Sequence, residues 1–167
     1  MAEPMELTSE VTNVPSLTGG KFLTFQLQEE EYGLEILKVR EIIGIMAITT
    51  VPQTPDHVKG VINLRGEVIP VIDLRLKFRL TEGEYDRRTC IIVVDVRGML
   101  MGIVVDTVSE VIHIDDNCIE EPPSFGIALN TDYILGMGKV GDQVKILLEI
   151  DKVLTSAELT EMSKIGR

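Results

Sequence analysis

Gly136, Gly138 and Gly141 spell GxGxxG, the spacing with which a backbone turn approaches a dinucleotide pyrophosphate. That chemistry needs a strand, then the glycines, then a helix whose N-terminus faces the phosphates. Here Val144, Ile146, Leu148 and Ile150 follow with the alternation of a strand, so the glycines are expected to serve a tight hairpin and a close backbone approach. His57 and His113 are the two histidines, and either has the right chemistry for a general base. Neither is accompanied by a nucleophile elbow, an HExxH motif or a Cys–His signature. Asp73, Asp95 and Asp106 each lie in or beside an apolar run, where a carboxylate pair would suit acid–base work. Structural pairing with Arg65, Arg75 or Arg97 is the simpler use of them. Cys90 and Cys118 have neither a metal-site nor a CxxC spacing, and Cys90 opens an apolar strand as a small core residue. No catalytic residue, metal or cofactor is expected.

The residue that resists this structural reading is Arg65. It stands at the tip of a hairpin signal, Val61 to Leu64 and Val68 to Ile72, whose two arms are almost wholly apolar. Gly66 can take positive φ, and the spacing predicts a type I turn with a bulge through Leu64-Arg65-Gly66. A second hairpin, Ile91 to Val96 and Met99 to Val105, also turns at an arginine–glycine pair, Arg97-Gly98. Each of the two runs into an aspartate, Asp73 or Asp106, which suggests two similar lobes. Apolar residues also fall where a surface is expected: Ile45-Met46-Ala47-Ile48 after Gly44, and Phe125 after Pro122-Pro123. As a set they fit contact patches of a binding module.

The elements that must position these residues are short strands. Residues 1–20 read as a flexible tail, and Lys21 to Gln28 as a half-buried strand followed by an acidic turn. Tyr32 to Ile36, a kink at Leu37-Lys38, and Val39 to Ile43 follow. Ile48 to Val51 is a short strand stopped by Pro52, and Thr54 to Gly60 reads as one helical turn with Thr54 as its cap. Leu80 to Thr89 is a polar loop, Val108 to Ile114 a strand, and Asp115 to Ser124 an acidic loop. Tyr133 to Val140 and Val144 to Ile150 pair across Gly141-Asp142, a type II′ signal. Thr155-Ser156-Ala157-Glu158 is a capping box that starts a short C-terminal helix. About ten strands with almost no helix mean a barrel or a sandwich.

The bounds agree. A chain of 167 residues suits one domain or two fused lobes and buries about two-thirds of its extended surface, enough to need no disulfide or metal. A net charge of -11 argues against nucleic acid and against anionic lipid, and favours a protein partner. The N-terminus lacks the basic and apolar regions of a secretory signal, and the apolar runs are too short for a membrane span. A soluble cytosolic protein with reduced thiols is expected.

Several segments together carry a resemblance. They are Glu31 to Ile42 (EYGLEILKVREI), Asn63-Leu64-Arg65-Gly66 with Pro70, Asp73-Leu74-Arg75, and Met101 to Asp106 (MGIVVD). In this order, within residues 20 to 154, the chain resembles the CheW-type chemotaxis coupling proteins. The resemblance implies a mainly β fold of two intertwined five-stranded SH3-like β-barrels around a shared hydrophobic core, spanning 21–154, with 155–167 forming the C-terminal helix and end. It implies a non-enzymatic adaptor coupling transmembrane chemoreceptors to the histidine kinase CheA, cytoplasmic and recruited to receptor arrays without inserting in the membrane. The cytoplasmic tip of a receptor would lie in a groove between the barrels at Val39, Glu41 and Arg65, with Cys90 and Ile91 opposite. The regulatory domain of the kinase would meet Ile45 and Met46 in the first barrel and Phe125 in the second. Glu41 and Arg65, read as unlike charges on neighbouring strands, are expected to pair in the free state. A kinase regulatory domain would share the fold, but no ATP-binding segment or receiver domain follows residue 155, so a stand-alone coupler is expected. The rival of another class is a small β-barrel enzyme or ligand-binding protein, which would need a deep apolar pocket with a histidine converging on carboxylates.

Overall fold

The computed structural model describes residues 20–80, 83–122 and 133–165. Of the expected tail, residues 1–20, all but Gly20 lie outside them, as does Phe125; Gly20 instead opens the first strand. Eleven strands are described: β1 (Gly20–Leu27), β2 (Glu30–Glu35), β3 (Val39–Gly44), β4 (Val58–Leu64), β5 (Glu67–Asp73), β6 (Cys90–Val96), β7 (Met99–Val105), β8 (Thr107–Ile114), β9 (Ile119–Glu120), β10 (Ile134–Val140) and β11 (Gln143–Leu148). The α-helices are a single turn, α1 (Leu74–Lys77), and α2 (Ser156–Ile165). A 3₁₀ turn over Ile36–Lys38 is the expected kink between β2 and β3, and others span Asp116–Cys118 and Ile150–Lys152.

Hydrogen bonding sorts the strands into two sheets, β3-β6-β7-β5-β4 and β8-β1-β2-β11-β10-β9. The first lobe comes from one continuous stretch, whereas the second joins the N-terminal hairpin to the C-terminal strands. Setting aside the two-residue β9, the lobes share one topology. An antiparallel strand leads to a hairpin (β6–β7, β1–β2), which runs parallel to one arm of a second hairpin (β5 of β4–β5, β11 of β10–β11). These are two intertwined SH3-like barrels. The chain crosses between them twice, at Ile36–Lys38 after β2 and at Asp106 after β7.

β6 and β1 occupy equivalent places, and each packs on both of its faces. Ile92, Val94 and Val96 of β6 enter a core shared by both lobes, while Ile91 and Val93 face the interior of the first lobe. Likewise Leu23, Phe25 and Leu27 of β1 enter the shared core and Phe22 faces the second lobe with Ile114 and Leu147. A stack of rings, Phe25–Tyr32–Phe78–Tyr133 with centroids 5.9, 6.0 and 4.9 Å apart, runs through the shared core. α2 starts at the expected capping box: Thr155 Oγ1 accepts from the Glu158 N–H (3.1 Å) and Glu158 Oε1 from the Thr155 N–H (2.8 Å). Met162 then enters the shared core, which makes the helix part of the domain.

Several local expectations change. Both arginine–glycine hairpins belong to the first lobe, so they are not the repeat; topology is. Arg65 and Arg97 (φ 53° and 52°) share positive φ with Gly66 and Gly98, and Leu64 pairs with Glu67 and Val96 with Met99. Both turns are therefore two-residue type I′ loops, without the expected bulge. Thr54 to Gly60 is not helical. Val58 N–H donates to the Pro55 carbonyl (3.0 Å), a β-turn, and Val58 already pairs with Ile72 in β4. Thr54 Oγ1 is turned back to the Val51 carbonyl (2.9 Å) and caps nothing. Ile48 to Val51 contributes only a bridge, Thr49 to Val61. The helical turn lies instead at Leu74–Lys77, where Asp73 Oδ1 accepts the Arg75 N–H (2.9 Å). The GxGxxG glycines behave as expected. Gly141 opens a two-residue turn at φ 61°, and a Cβ on Gly136 would stand 2.6 Å from Ile119 Cγ2.

Candidate functional site

β3 and β4 are the opposite edges of the first sheet, not neighbours. Glu41 of β3 and Arg65 at the end of β4 meet because the sheet curls into a barrel, and their bond spans the line of closure. The contact is two-pronged: Arg65 Nη2 donates to Glu41 Oε1 (2.5 Å) and Nη1 to Oε2 (3.2 Å). The hydrogen bond from Arg65 holds the Glu41 carboxyl below its ordinary range, and the same bond raises the guanidinium. The pair is therefore intact above the usual carboxylate pKa and is lost only as pH falls through a lower one. Most of the Arg65 side chain (69%) faces solvent, so the bond orients a charge more than it hides one.

The turn that presents Arg65 is built against its own residue preference. A type I′ turn favours Asn or Asp before glycine, because a longer side chain fits the left-handed region poorly. Asn63 compensates by accepting the Gly66 N–H on Oδ1 (2.8 Å), and Asp95 does the same for Gly98 (2.8 Å). The same Asp95 binds Arg40 Nη2 through its other oxygen (2.8 Å), next to Glu41 on β3. Arg40 sits at a register shift between Val39 and Glu41, a β-bulge. Val39 accordingly packs at the rim of the shared core while Ile43 packs with the interior of the first lobe.

Val39, Glu41 and Arg65 thus gather at one end of β3. Cys90 pairs with Gly44 at the other end, about 16 Å from Val39 at the usual strand rise, and Ile91 pairs with Ile43, two residues beyond Glu41. Cys90 is half-buried, its thiol directed at the Arg88 carbonyl (3.3 Å). Ile91 needs correction: its side chain is fully buried in the first lobe's own core and presents no surface. The run CIIVVDV (Cys90 to Val96) is apolar on both faces, which hides from sequence inspection which face is covered. Ile45 packs against the first lobe's core, whereas Met46 is 37% exposed. The exposed apolar side chains that went unnoticed in the sequence include Leu37 on the first crossing, Ile42 between Glu41 and Ile43, and Val68 near the Arg65 turn. The signal was present for Ile42, since VREII puts apolar residues on both faces of what proves to be an edge strand.

The histidines do not converge. His113 is exposed beside Asp115 (2.8 Å). His57 lines an open cleft of about 440 Å³ between the Val51–Val58 segment and α2, with Nε2 3.7 Å from Glu158. That carboxylate is already held by Lys77 Nζ, 2.9 Å from both oxygens, and by the Thr155 N–H. Burial and then the Lys77 charge push the His57 imidazole below its ordinary range, against the pull of Glu158 and Asp56. In the unfolded chain His57 protonates near pH 6.5, before the folded form does. The unfolded state thus binds more protons there, and stability falls as pH drops through that window. The His57→Gln variant should show a flatter dependence of melting temperature on pH as the pH falls below about 6.5. An unchanged slope would assign that loss to other groups. Among the described residues no group of histidine, cysteine and carboxylate side chains is placed to hold a metal, and no helix is long and apolar enough to cross a membrane.

Comparison with known proteins bears on the whole arrangement. The CheW-like domain matches residues 21–158. The chain is 42% identical to the chemotaxis protein CheW of Klebsiella aerogenes, over 89% of this chain and 90% of that one. It is 35% identical to CheW of Helicobacter pylori, over 80% and 81%. The crystal structure of the scaffolding protein TtCheW from Thermoanaerobacter tengcongensis superposes with a TM-score of 0.76 at 37% identity, covering 84% of this chain and 95% of that one. With two barrels of matching topology and a family match across nearly all the described residues, this chain belongs to the CheW-like family.

Proposed function

We propose that this chain is a chemotaxis scaffold that couples chemoreceptors to the histidine kinase CheA. The observation that carries the reading is the Glu41–Arg65 pair, set at the closure of the first lobe and beside the exposed Ile42 and the rim residue Val39. An apolar strip next to an oriented charge pair is suited to a helix, whose apolar side chains at i, i+3 and i+7 would lie on the strip while the pair binds its polar groups. The 16 Å from Val39 to Gly44 matches about eleven helical residues. Val39, Glu41, Arg65 and Cys90 would receive the cytoplasmic tip of a receptor helical hairpin. Ile91 would support the strip from inside.

The kinase's regulatory domain would dock on Ile45 and Met46, with Phe125 forming a second face. Met46 is the accessible part of the first face, and its flexible thioether suits a contact that must repack. Such a protein needs no chemistry of its own, only two partner surfaces far enough apart to be used together. It would reside in the cytoplasm and reach the membrane through the receptor.

The test is co-sedimentation of the purified protein with receptor-containing membranes, with and without the kinase. Pelleting with the receptor, and increased pelleting of kinase when this protein is added, are expected. Absence of binding to either partner would sink the scaffold reading.

A further inference from the structure

We propose that two ion pairs, Arg75–Asp106 and Lys38–Asp151, are positioning pairs that fix the angle between the lobes and thereby the shape of the groove. The groove clause rests on the function proposed above; the angle clause does not. The two pairs occupy equivalent places in the doubled topology. Arg75 lies in the helical turn after β5, and Asp106 is the crossing that leaves β7. Asp151 lies in the 3₁₀ turn after β11, and Lys38 is on the crossing that leaves β2. In each lobe the turn after the parallel strand grips the chain as it departs for the other lobe, with the charges exchanged.

Asp106 touches both lobes. Its backbone N–H donates to the Gln26 carbonyl (3.0 Å) and its Oδ2 accepts the Gln28 N–H (2.6 Å), both on the N-terminal hairpin of the second lobe. Its Oδ1 lies 3.0 Å from Arg75 Nη1. Arg75 is itself immobilised: 6% of its side chain is exposed, Nη2 donates to the Gly83 carbonyl (3.2 Å), and the guanidinium lies 5.5 Å from the Tyr85 ring. Asp73, wholly buried, accepts the Arg75 N–H and the Tyr85 hydroxyl (2.8 Å). At the other crossing, Lys38 Nζ donates to Asp151 Oδ2 (2.8 Å), a hydrogen bond that raises the ammonium pKa.

The shared core holds the lobes together, but apolar burial has no direction and tolerates a small rotation at little cost. The Lys38–Asp151 and Gln28–Asp106 contacts are hydrogen bonds to a charged group, which have direction and lose strength quickly when misaligned, while the Arg75 guanidinium holds Asp106 by close charge contact. One pair at each crossing fixes two separated points between the lobes, and together they oppose rotation about every axis except the line that joins them. Val39 directly follows Lys38, so a shift at that crossing moves the end of the strip that carries Val39 and Glu41. Ile45 and Met46 follow the end of β3 farthest from the Lys38 crossing, so their face should depend less on the angle.

The test places spin labels at the exposed positions Val68 and Val144, one in each lobe, in a Cys90→Ser, Cys118→Ser background, and measures the distance distribution by double electron–electron resonance without any partner. Lys38→Met and Asp106→Asn should each at least double its width, while Lys38→Arg, which keeps charge and donors, should retain it. In unlabelled protein the same two variants should bind a soluble receptor signalling fragment about tenfold more weakly, equivalent to about 1.4 kcal/mol. Binding to the isolated kinase regulatory domain should change less than twofold. Folded variants with unchanged widths would overturn the proposal, and so would loss of the fold in both, which would make the pairs structural. If the unsubstituted protein fails to bind the receptor fragment, the scaffold reading falls while the widths still decide the role of the pairs.

Discussion

Charge reversal at Glu41 (Glu41→Arg) or at Arg65 (Arg65→Glu) should each weaken receptor binding by roughly tenfold or more, and the double reversal should recover much of that loss. The expectation follows from geometry. Each residue holds the other in place through a two-pronged contact, so either single reversal both sets two like charges at the barrel closure and misdirects the group left behind. Because the Arg65 side chain is largely exposed and Glu41 partly so, the pair adds little to folding stability, and the melting temperature should hardly move. The binding loss would then be separable from misfolding. Additive rather than coupled losses would dissolve the pair as a functional unit.

A second variant sharpens the point. Arg65→Asn supplies the residue that a type I′ turn prefers, so it should leave the hairpin as stable or more stable while binding is lost. Opposite signs for stability and binding are hard to obtain from a residue kept for its fold. They are expected where an arginine occupies left-handed backbone for the sake of its guanidinium. Unchanged receptor binding in Arg65→Asn would remove that argument.

What the sequence made legible was local. The strands announced themselves by alternation and by glycine turns, the kink at Leu37-Lys38 by a break in pattern, and the C-terminal helix by its capping box. The resemblance supplied what alternation does not contain, the intertwining, since β1 and β2 complete a lobe whose other strands lie some eighty residues later. Errors clustered where a side chain competes for the backbone. Thr54 and Pro55 carry the residue types of a helix start, yet β4 claims Val58 for its ladder, and the turn closes one residue short of helix. Asp73 capped a helix that its surrounding apolar run concealed. Within the candidate site, Glu41 and Arg65 were identified as a pair, but their meeting across a barrel closure is a tertiary fact. Ile91 was misplaced because a strand buried on both faces has no alternation to betray which side is open.

The Gly60→Ala variant should be the most damaging single methyl group in the protein, destabilising it by about 3–4 kcal/mol. Two costs add. Gly60 has φ 142°, outside the range of ordinary L-residues, a strain of about 1–3 kcal/mol for alanine. A Cβ there would stand 1.9 Å from the Thr49 carbonyl oxygen and 2.7 Å from its carbon, so backbone must move, at an overpacking cost of about 1–3 kcal/mol. For a domain of this size the melting temperature should fall by roughly 10 °C. Gly44→Ala is the control, since Gly44 has ordinary φ and nothing within 4 Å of the added carbon. The displaced group is the one that matters for function. Thr49 is tied to Val61 by two hydrogen bonds, 2.8 and 2.9 Å, and these anchor the segment that carries Ile45 and Met46. Measured well below the lowered melting temperature, Gly60→Ala should therefore lose affinity for the kinase regulatory domain while keeping most of its affinity for the receptor, because Glu41 and Arg65 lie beyond the anchor. Equal losses on both sides would mean that the first lobe responds as one rigid body, and that its two partner surfaces cannot be separated by loosening one edge.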